Sequence, residues 1–106
     1  MPSPPKPAKD CMTMQELRAA IDGLDAELVQ VLVRRAAYID RAAELKLALD
    51  MPARIDQRIE EVVANVRRSA EAQGLDAELA EGLWRRIIDW SIAREEAAFR
   101  KAGQKG

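Results

Sequence analysis

Two basic residues fall on an apolar face of a predicted helix. Arg35 occupies one position of a seven-residue repeat whose other members are apolar: Ile21, Leu28, Ala42 and Leu49. Lys46 follows 11 positions later, which at 100° per residue returns it to within about 20° of the same direction. The two would lie about 16.5 Å apart along the helix axis, near enough for both side chains to lean toward one small dianion. The alternative is that each extends its charge to solvent or pairs with a carboxylate at the core edge.

A similar pattern occurs near the C-terminus. Ser91 falls on the side of Ile87 and Ile88, and Glu95 lies about 20° from both Ile88 and Trp84 on a helical projection. A carboxyl group on an apolar face must be paired or protonated. The obvious partners are the cations of the first helix, either around a ligand or in a structural salt bridge.

Three further arginines are candidates for the same site. Arg18 precedes Arg35 by 17 positions, about 25 Å along a helix, which is beyond side-chain reach. Arg18 could therefore join an Arg35/Lys46 site only from a second chain; otherwise it is a solvent-exposed arginine. Arg54 and Arg58 stand where the chain turns back toward Lys46, and either could reach the pocket.

The first predicted helix is unusually long. Thr13 and Glu16 match the capping box, in which each side chain satisfies the other's backbone amide. Apolar residues then recur every seven positions: Leu17, Leu24, Val31, Tyr38 and Leu45. A helix from Met14 to Leu49 has about 36 residues and a length of roughly 54 Å. A compact globule of about 100 residues has a radius of gyration near 13 Å, so we expect a dimer in which two long helices cover each other.

Two shorter helices are predicted after Pro52, which should end the first. The second carries an apolar stripe from Ile55 to Val66 and should stop at Gly74. Asp76 should cap the third, whose stripe extends toward Gly103. The predicted fold class is all-α, with one long and two shorter helices per chain. Proline-rich residues 1–12 are predicted to be a disordered tail, and residues 13–102 a single helical domain.

Composition excludes several classes of protein. The 106 residues contain no histidine and one cysteine, which rules out a Ser-His-Asp triad, a His/Cys zinc site and an intramolecular disulfide. A net charge of -1 gives no general attraction to nucleic acid. No apolar run approaches a membrane span, and the N-terminus lacks the apolar core of a signal peptide. We expect a cytoplasmic protein that needs no metal or cofactor.

Three segments carry a resemblance to a known family. They are LRAAIDGLDAELV at 17–29, the arginine pair 34–35 together with Lys46, and GLWRRIIDWSIARE at 82–95. They resemble the all-helical chorismate mutases, a family that includes the small isochorismate pyruvate-lyases. The resemblance covers the chain from Gln15 to about Phe99. It implies an intertwined helical homodimer with two equivalent sites.

The resemblance also implies roles for the helix-one cations. Arg18 matches the arginine that one chain lends to the site of its partner. Arg35 matches the arginine that grips a substrate carboxylate within its own chain. Lys46 matches the lysine that faces a carboxylate and the ether oxygen of the substrate.

The remaining matches include two departures from the family pattern. Arg58 matches a further pocket arginine, unless a different loop register brings in Arg54. Ser91 and Glu95 match a pair near the substrate's hydroxyl and ether oxygen, although the bacterial mutases carry glutamine where Glu95 stands; some eukaryotic members carry glutamate. Ile59 stands where the family often has glutamate, and the pyruvate-lyase relatives tolerate an aliphatic residue there.

The implied activity is the rearrangement of chorismate to prephenate, an isomerase step of aromatic amino-acid biosynthesis in the shikimate pathway. The substrate is a small dicarboxylate, and its unimolecular pericyclic shift needs no nucleophile, metal or redox cofactor. Two alternatives stay open. One is an isochorismate pyruvate-lyase of a salicylate or siderophore pathway, and the other is a non-catalytic helical dimerisation module.

Overall fold

The computed structural model describes residues 6–104, and in that range the regular structure is entirely helical. A short 3-10 helix at Ala8–Asp10 precedes α1 (Met14–Ala48), α2 (Asp56–Gln73) and α3 (Ala77–Gln104). The predicted all-α fold with one long and two shorter helices is therefore confirmed. Contacts divide the chain into two units, Met1–Ala37 and Tyr38–Gly106, with the boundary inside α1.

In the first unit, a side-chain cap starts α1. The Thr13 hydroxyl accepts a hydrogen bond from the Glu16 amide at 3.0 Å, as the capping box predicts. The return bond differs from the prediction, because Glu16 Oε2 accepts from the Met12 amide at 3.2 Å and not from Thr13. The Met12 bond, together with the Lys6 ammonium 3.2 Å away, holds the pKa of Glu16 below its usual value.

The predicted disordered tail covers residues 1–12, of which 1–5 lie outside the described residues. The described remainder contains the 3-10 turn, in which the Asp10 amide donates to the Pro7 carbonyl at 2.9 Å. Disorder of the tail stays a prediction.

The apolar stripe of α1 in the first unit is largely exposed. We use "α1 stripe" for Ile21, Leu24, Leu28 and Val31, whose exposed fractions run from 47% to 61%. Within the described residues, no helix combines the length and the apolar character that crossing a membrane requires. The exposures of the α1 stripe show that the chain alone does not bury this apolar face.

In the second unit, α2 and α3 pack along each other around a small core. Ile59, Val63 and Ile88 form it, with Val62 and Ile92 at its edge. Gly74, at φ 79°, ends α2 as predicted, and Leu75 N–H donates to the Ala70 carbonyl at 2.8 Å in the bond pattern of a Schellman motif. The cap predicted for α3 is also confirmed, because Asp76 Oδ1 accepts from the Glu78 amide at 2.9 Å.

A similar motif ends α1, four residues before Pro52. Asp50 adopts a left-handed conformation with φ 55°, which lets the Met51 amide donate to the Lys46 carbonyl at 2.8 Å. Asp50 is one of the residue types that tolerate this conformation. The chain therefore leaves α1 by a tight turn built directly on Lys46.

Candidate active site

The buried centre of the second unit is an ion pair between Lys46 on α1 and Glu95 on α3. Lys46 Nζ lies 2.7 Å from Glu95 Oε1, and the two side chains are only 18% and 5% exposed. Glu95 Oε1 accepts no hydrogen bond, so its contact with Lys46 is an ion pair. The partner of the predicted buried carboxyl is thus a cation of the first helix, as the sequence pattern indicated.

The loop after α1 forms hydrogen bonds with both the backbone and the side chain of Lys46. The backbone carbonyl of Lys46 accepts from the Met51 amide, and its ammonium donates to the carbonyl of buried Ala53 at 2.8 Å. An ammonium that donates to one carbonyl and faces one carboxylate in a confined site keeps a defined direction, whereas an exposed lysine samples many rotamers. The turn at Asp50 therefore contributes to the site although its own side chain is exposed.

Ser91 lies one turn before Glu95 on α3 and is equally buried, at 4% exposure. Its hydroxyl donates to the Ile87 carbonyl at 2.8 Å, the back-bond that places serine inside a helix. The structure therefore brings three of the predicted site residues, Lys46, Ser91 and Glu95, to the buried faces of α1 and α3 in one unit.

Arg54 and Arg58 lie at the surface near the start of α2. Arg54 Nε binds Asp56 Oδ1 at 2.9 Å, and Arg58 Nη1 binds Glu61 Oε2 at 3.3 Å. Their side chains are 59% and 63% exposed. Each arginine is paired with an acid of its own segment, so which of them serves a pocket stays a prediction.

The departure at Ile59 has a structural explanation. This side chain is 8% exposed and belongs to the core with Val63 and Ile88. An aliphatic residue here contributes apolar burial between α2 and α3. A carboxylate at the same buried position would need a buried partner.

Arg18 and Arg35 lie in the first unit. Arg18 is exposed in the first turns of α1, and Arg35 is half-buried further along the helix. Their roles in substrate binding stay predictions.

The sequence pattern missed a second ion pair between α1 and α3. Arg94 Nε and Nη2 bind Asp40 Oδ1 and Oδ2 at 2.6 and 3.0 Å. The Arg94 guanidinium also lies 5.3 Å from the centre of the Trp90 ring, within cation–π range. The sequence does place an acid six positions before Lys46 and a base next to Glu95. The periodicity of one helix, however, does not show which residue of another helix it pairs with.

Comparison with known proteins identifies the class. Residues 17–96 match the model of the family described as chorismate mutase type II. The chain is 35% identical over 96 residues to an isochorismate pyruvate lyase of Pseudomonas aeruginosa, covering 91% of this chain and 94% of that protein. It is 30% identical to the T-proteins of Haemophilus influenzae and Enterobacter agglomerans over 82 and 79 residues. These matches cover 77% and 74% of this chain but only 22% and 21% of the T-proteins.

The fold and the match define an all-helical protein of the chorismate mutase type, and the chain belongs to the chorismate mutase type II family. The resemblance inferred from the three sequence segments is therefore confirmed, including its pyruvate-lyase relatives.

Proposed function

We propose that this chain is a chorismate mutase, which converts chorismate to prephenate at a site completed by a second copy of the chain. Membership of the family supports a substrate of the chorismate or isochorismate type. The observation that carries the proposal is the buried Lys46–Glu95 pair, because a cation held in a water-poor site can act on charge that develops during the reaction.

In the proposed mechanism the protein supplies conformational restraint and charge. Arg35, together with Arg18 from a second copy, clamps the two carboxylates and holds the substrate in a folded, near-attack conformer. Lys46 stabilises the negative charge that develops on the ether oxygen as its bond to carbon breaks. Because the reaction is unimolecular, these electrostatic and positioning effects are sufficient to lower its barrier.

Glu95 has a distinct part in this proposal. A glutamine at its position would donate an amide hydrogen to the ether oxygen, whereas a carboxyl group donates only when it is protonated. In the ion pair with Lys46, Glu95 is the acidic partner. Substrate binding would therefore replace this contact, with Lys46 turning from Glu95 to the substrate.

A second candidate function is the elimination of pyruvate from isochorismate in the same cationic pocket. Two observations favour it. The similarity to the Pseudomonas aeruginosa lyase extends over 94% of that protein, and the sequence resemblance implies that such relatives tolerate an aliphatic residue at the position of Ile59. The pair Lys46–Glu95 would serve either reaction, since both break the bond from the ring to the ether oxygen.

A parallel assay of the purified chain with chorismate and isochorismate tests the proposal. We expect prephenate from chorismate at a kcat/KM above that for pyruvate release from isochorismate, with both activities lost in Lys46→Ala. Preferential pyruvate release would establish the lyase instead. Failure to bind either substrate or a transition-state analogue would favour the non-catalytic dimerisation module.

A further inference from the structure

Two ion pairs connect α1 with α3 on either side of one small residue. Ala43 is only 2% exposed and is the buried residue of α1. On a helical projection it lies midway between Asp40 and Lys46, about 60° from each. Asp40 binds Arg94, Lys46 binds Glu95, and these two partners are consecutive on α3. The two pairs therefore attach α1 to α3 at two points separated by a buried alanine.

The ion pair between Asp40 and Arg94 has a directional geometry. The two parallel contacts at 2.6 and 3.0 Å align the planar guanidinium with the carboxylate, which restricts their approach more than one contact would. The Trp90 ring, 5.3 Å from the guanidinium carbon, supports Arg94 from the preceding turn of α3. The hydrogen bond from Arg94 also holds the pKa of Asp40 below its usual value, so Asp40 is charged at neutral pH.

We propose that Asp40 and Arg94 are positioning residues, which fix the rotation of α1 about its own axis and thereby set Lys46 on Glu95. One ion pair alone lets a helix roll about the point of contact, whereas a second pair on the other side of Ala43 prevents that motion. Asp40 and Arg94 act through Lys46, and their effect on catalysis rests on the proposed function.

The chain offers a matched control pair. Arg85 on α3 binds both carboxylate oxygens of Glu60 on α2 at 3.3 and 3.2 Å. The Arg85 side chain is 43% exposed, close to the 44% of Arg94, and the Glu60 side chain is 66% exposed, more than the 49% of Asp40. Both pairs are bidentate, join two helices and lie at the surface, but the control pair does not involve α1. Arg85 also binds Glu81 Oε2 at 2.7 Å within α3, so Glu60→Gln removes only its contact with α2. The control therefore tests whether the loss of a surface carboxylate between two helices is by itself enough to lower kcat.

The experiment compares Asp40→Asn with Glu60→Gln in the full chain. We expect Asp40→Asn to lower kcat for the preferred substrate about tenfold with KM changed less than twofold, because a displaced Lys46 loses charge stabilisation specific to the transition state. Glu60→Gln should keep kcat within a factor of two. Asp40→Glu, which retains the charge and both oxygens, should recover at least half of the lost kcat.

A second readout does not depend on activity. The ammonium of Lys46, enclosed by Glu95 and Ala53, should give an observable proton–nitrogen NMR signal, assigned by its loss in Lys46→Arg. Asp40→Asn should broaden or remove that signal, and Glu60→Gln should leave it. If the wild-type chain converts neither substrate, the proposed function fails while this signal still tests the positioning role. An unchanged signal in Asp40→Asn, or equal loss of kcat in Asp40→Asn and Glu60→Gln, would overturn it.

Discussion

The N-terminal half of α1 and the α2–α3 pair carry apolar stripes of the same kind, but only one is buried. Ile59, Val63 and Ile88 are at most 8% exposed, whereas the α1 stripe is 47% to 61% exposed. Helical periodicity predicts that a face is apolar in both regions and does not specify what covers it. Because an exposed apolar face of this kind marks an interaction surface, we propose that a second copy covers the α1 stripe.

The largest expected effect comes from a charge on the α1 stripe. Leu28→Glu should be tolerated by a single chain, in which Leu28 is 61% exposed, but would bury an unpaired carboxylate in a dimer. We expect dissociation in sedimentation experiments and at least a hundredfold loss of kcat/KM. Gln30→Glu adds the same charge about 200° around the helix and should preserve both. A wild-type monomer, or a dimeric and active Leu28→Glu, contradicts the interpretation.

Removing a cation from each region should have the next largest effect. Arg35→Ala in the first unit and Lys46→Ala in the second should each lower kcat/KM at least tenfold, which corresponds to about 1.4 kcal/mol of transition-state stabilisation. Circular dichroism should show that helix content is retained. Loss confined to Lys46→Ala would restrict the site to the second unit and remove Arg35 from the proposal.

Mixing two inactive variants tests whether arginines from two chains share one site. In a heterodimer of Arg18→Ala and Arg35→Ala, one site has both arginines and the other has neither. Random pairing at equal amounts should therefore restore roughly a quarter of wild-type activity, since half of the dimers are mixed and each has one intact site. Subunit exchange verified by mass spectrometry without any recovery would show that sites are not shared.

A several-fold effect is expected at Glu95 if the side chain at this position donates to the ether oxygen. Glu95→Gln has a side chain of the same length that always carries an amide donor, so it should raise kcat several-fold. Ser91→Ala provides a comparison at the neighbouring buried position, where kcat should not rise. A kcat of Glu95→Gln below that of the wild-type chain would exclude a donor role at this position.

Helix ends and contacts between helices differ in how far the sequence predicted them. Helix ends depend on local chemistry, and the caps at Thr13, Gly74 and Asp76 were predicted because each acts on amides or carbonyls within a few residues. The sequence also predicted that Glu95 pairs with a cation of the first helix, since a buried carboxyl requires a partner, and Lys46 is that cation.

Contacts that depend on the rotation and separation of helices were not predicted. The Asp40–Arg94 pair and the bond from Lys46 to the Ala53 carbonyl require the paths of α1, its loop and α3 to be known together. Asp50 in a left-handed conformation was also missed, because Pro52 offered a simpler reason for α1 to end.

The smallest expected effect is on the free energy of unfolding when one valine of each apolar stripe is replaced by alanine. Val63→Ala removes core methyl groups and should lower the free energy of unfolding by roughly 2 kcal/mol, whether the chain is monomeric or dimeric. Val31→Ala, at a position 48% exposed in the single chain, should cost less than about 0.5 kcal/mol in the monomeric Leu28→Glu background. In the wild-type background it should cost more, because unfolding there is coupled to dimer dissociation. Urea unfolding of Val63→Ala and Val31→Ala, each in the wild-type and in the Leu28→Glu background, measures these costs. An equal cost of Val31→Ala in the two backgrounds would show that a second copy does not cover this side chain.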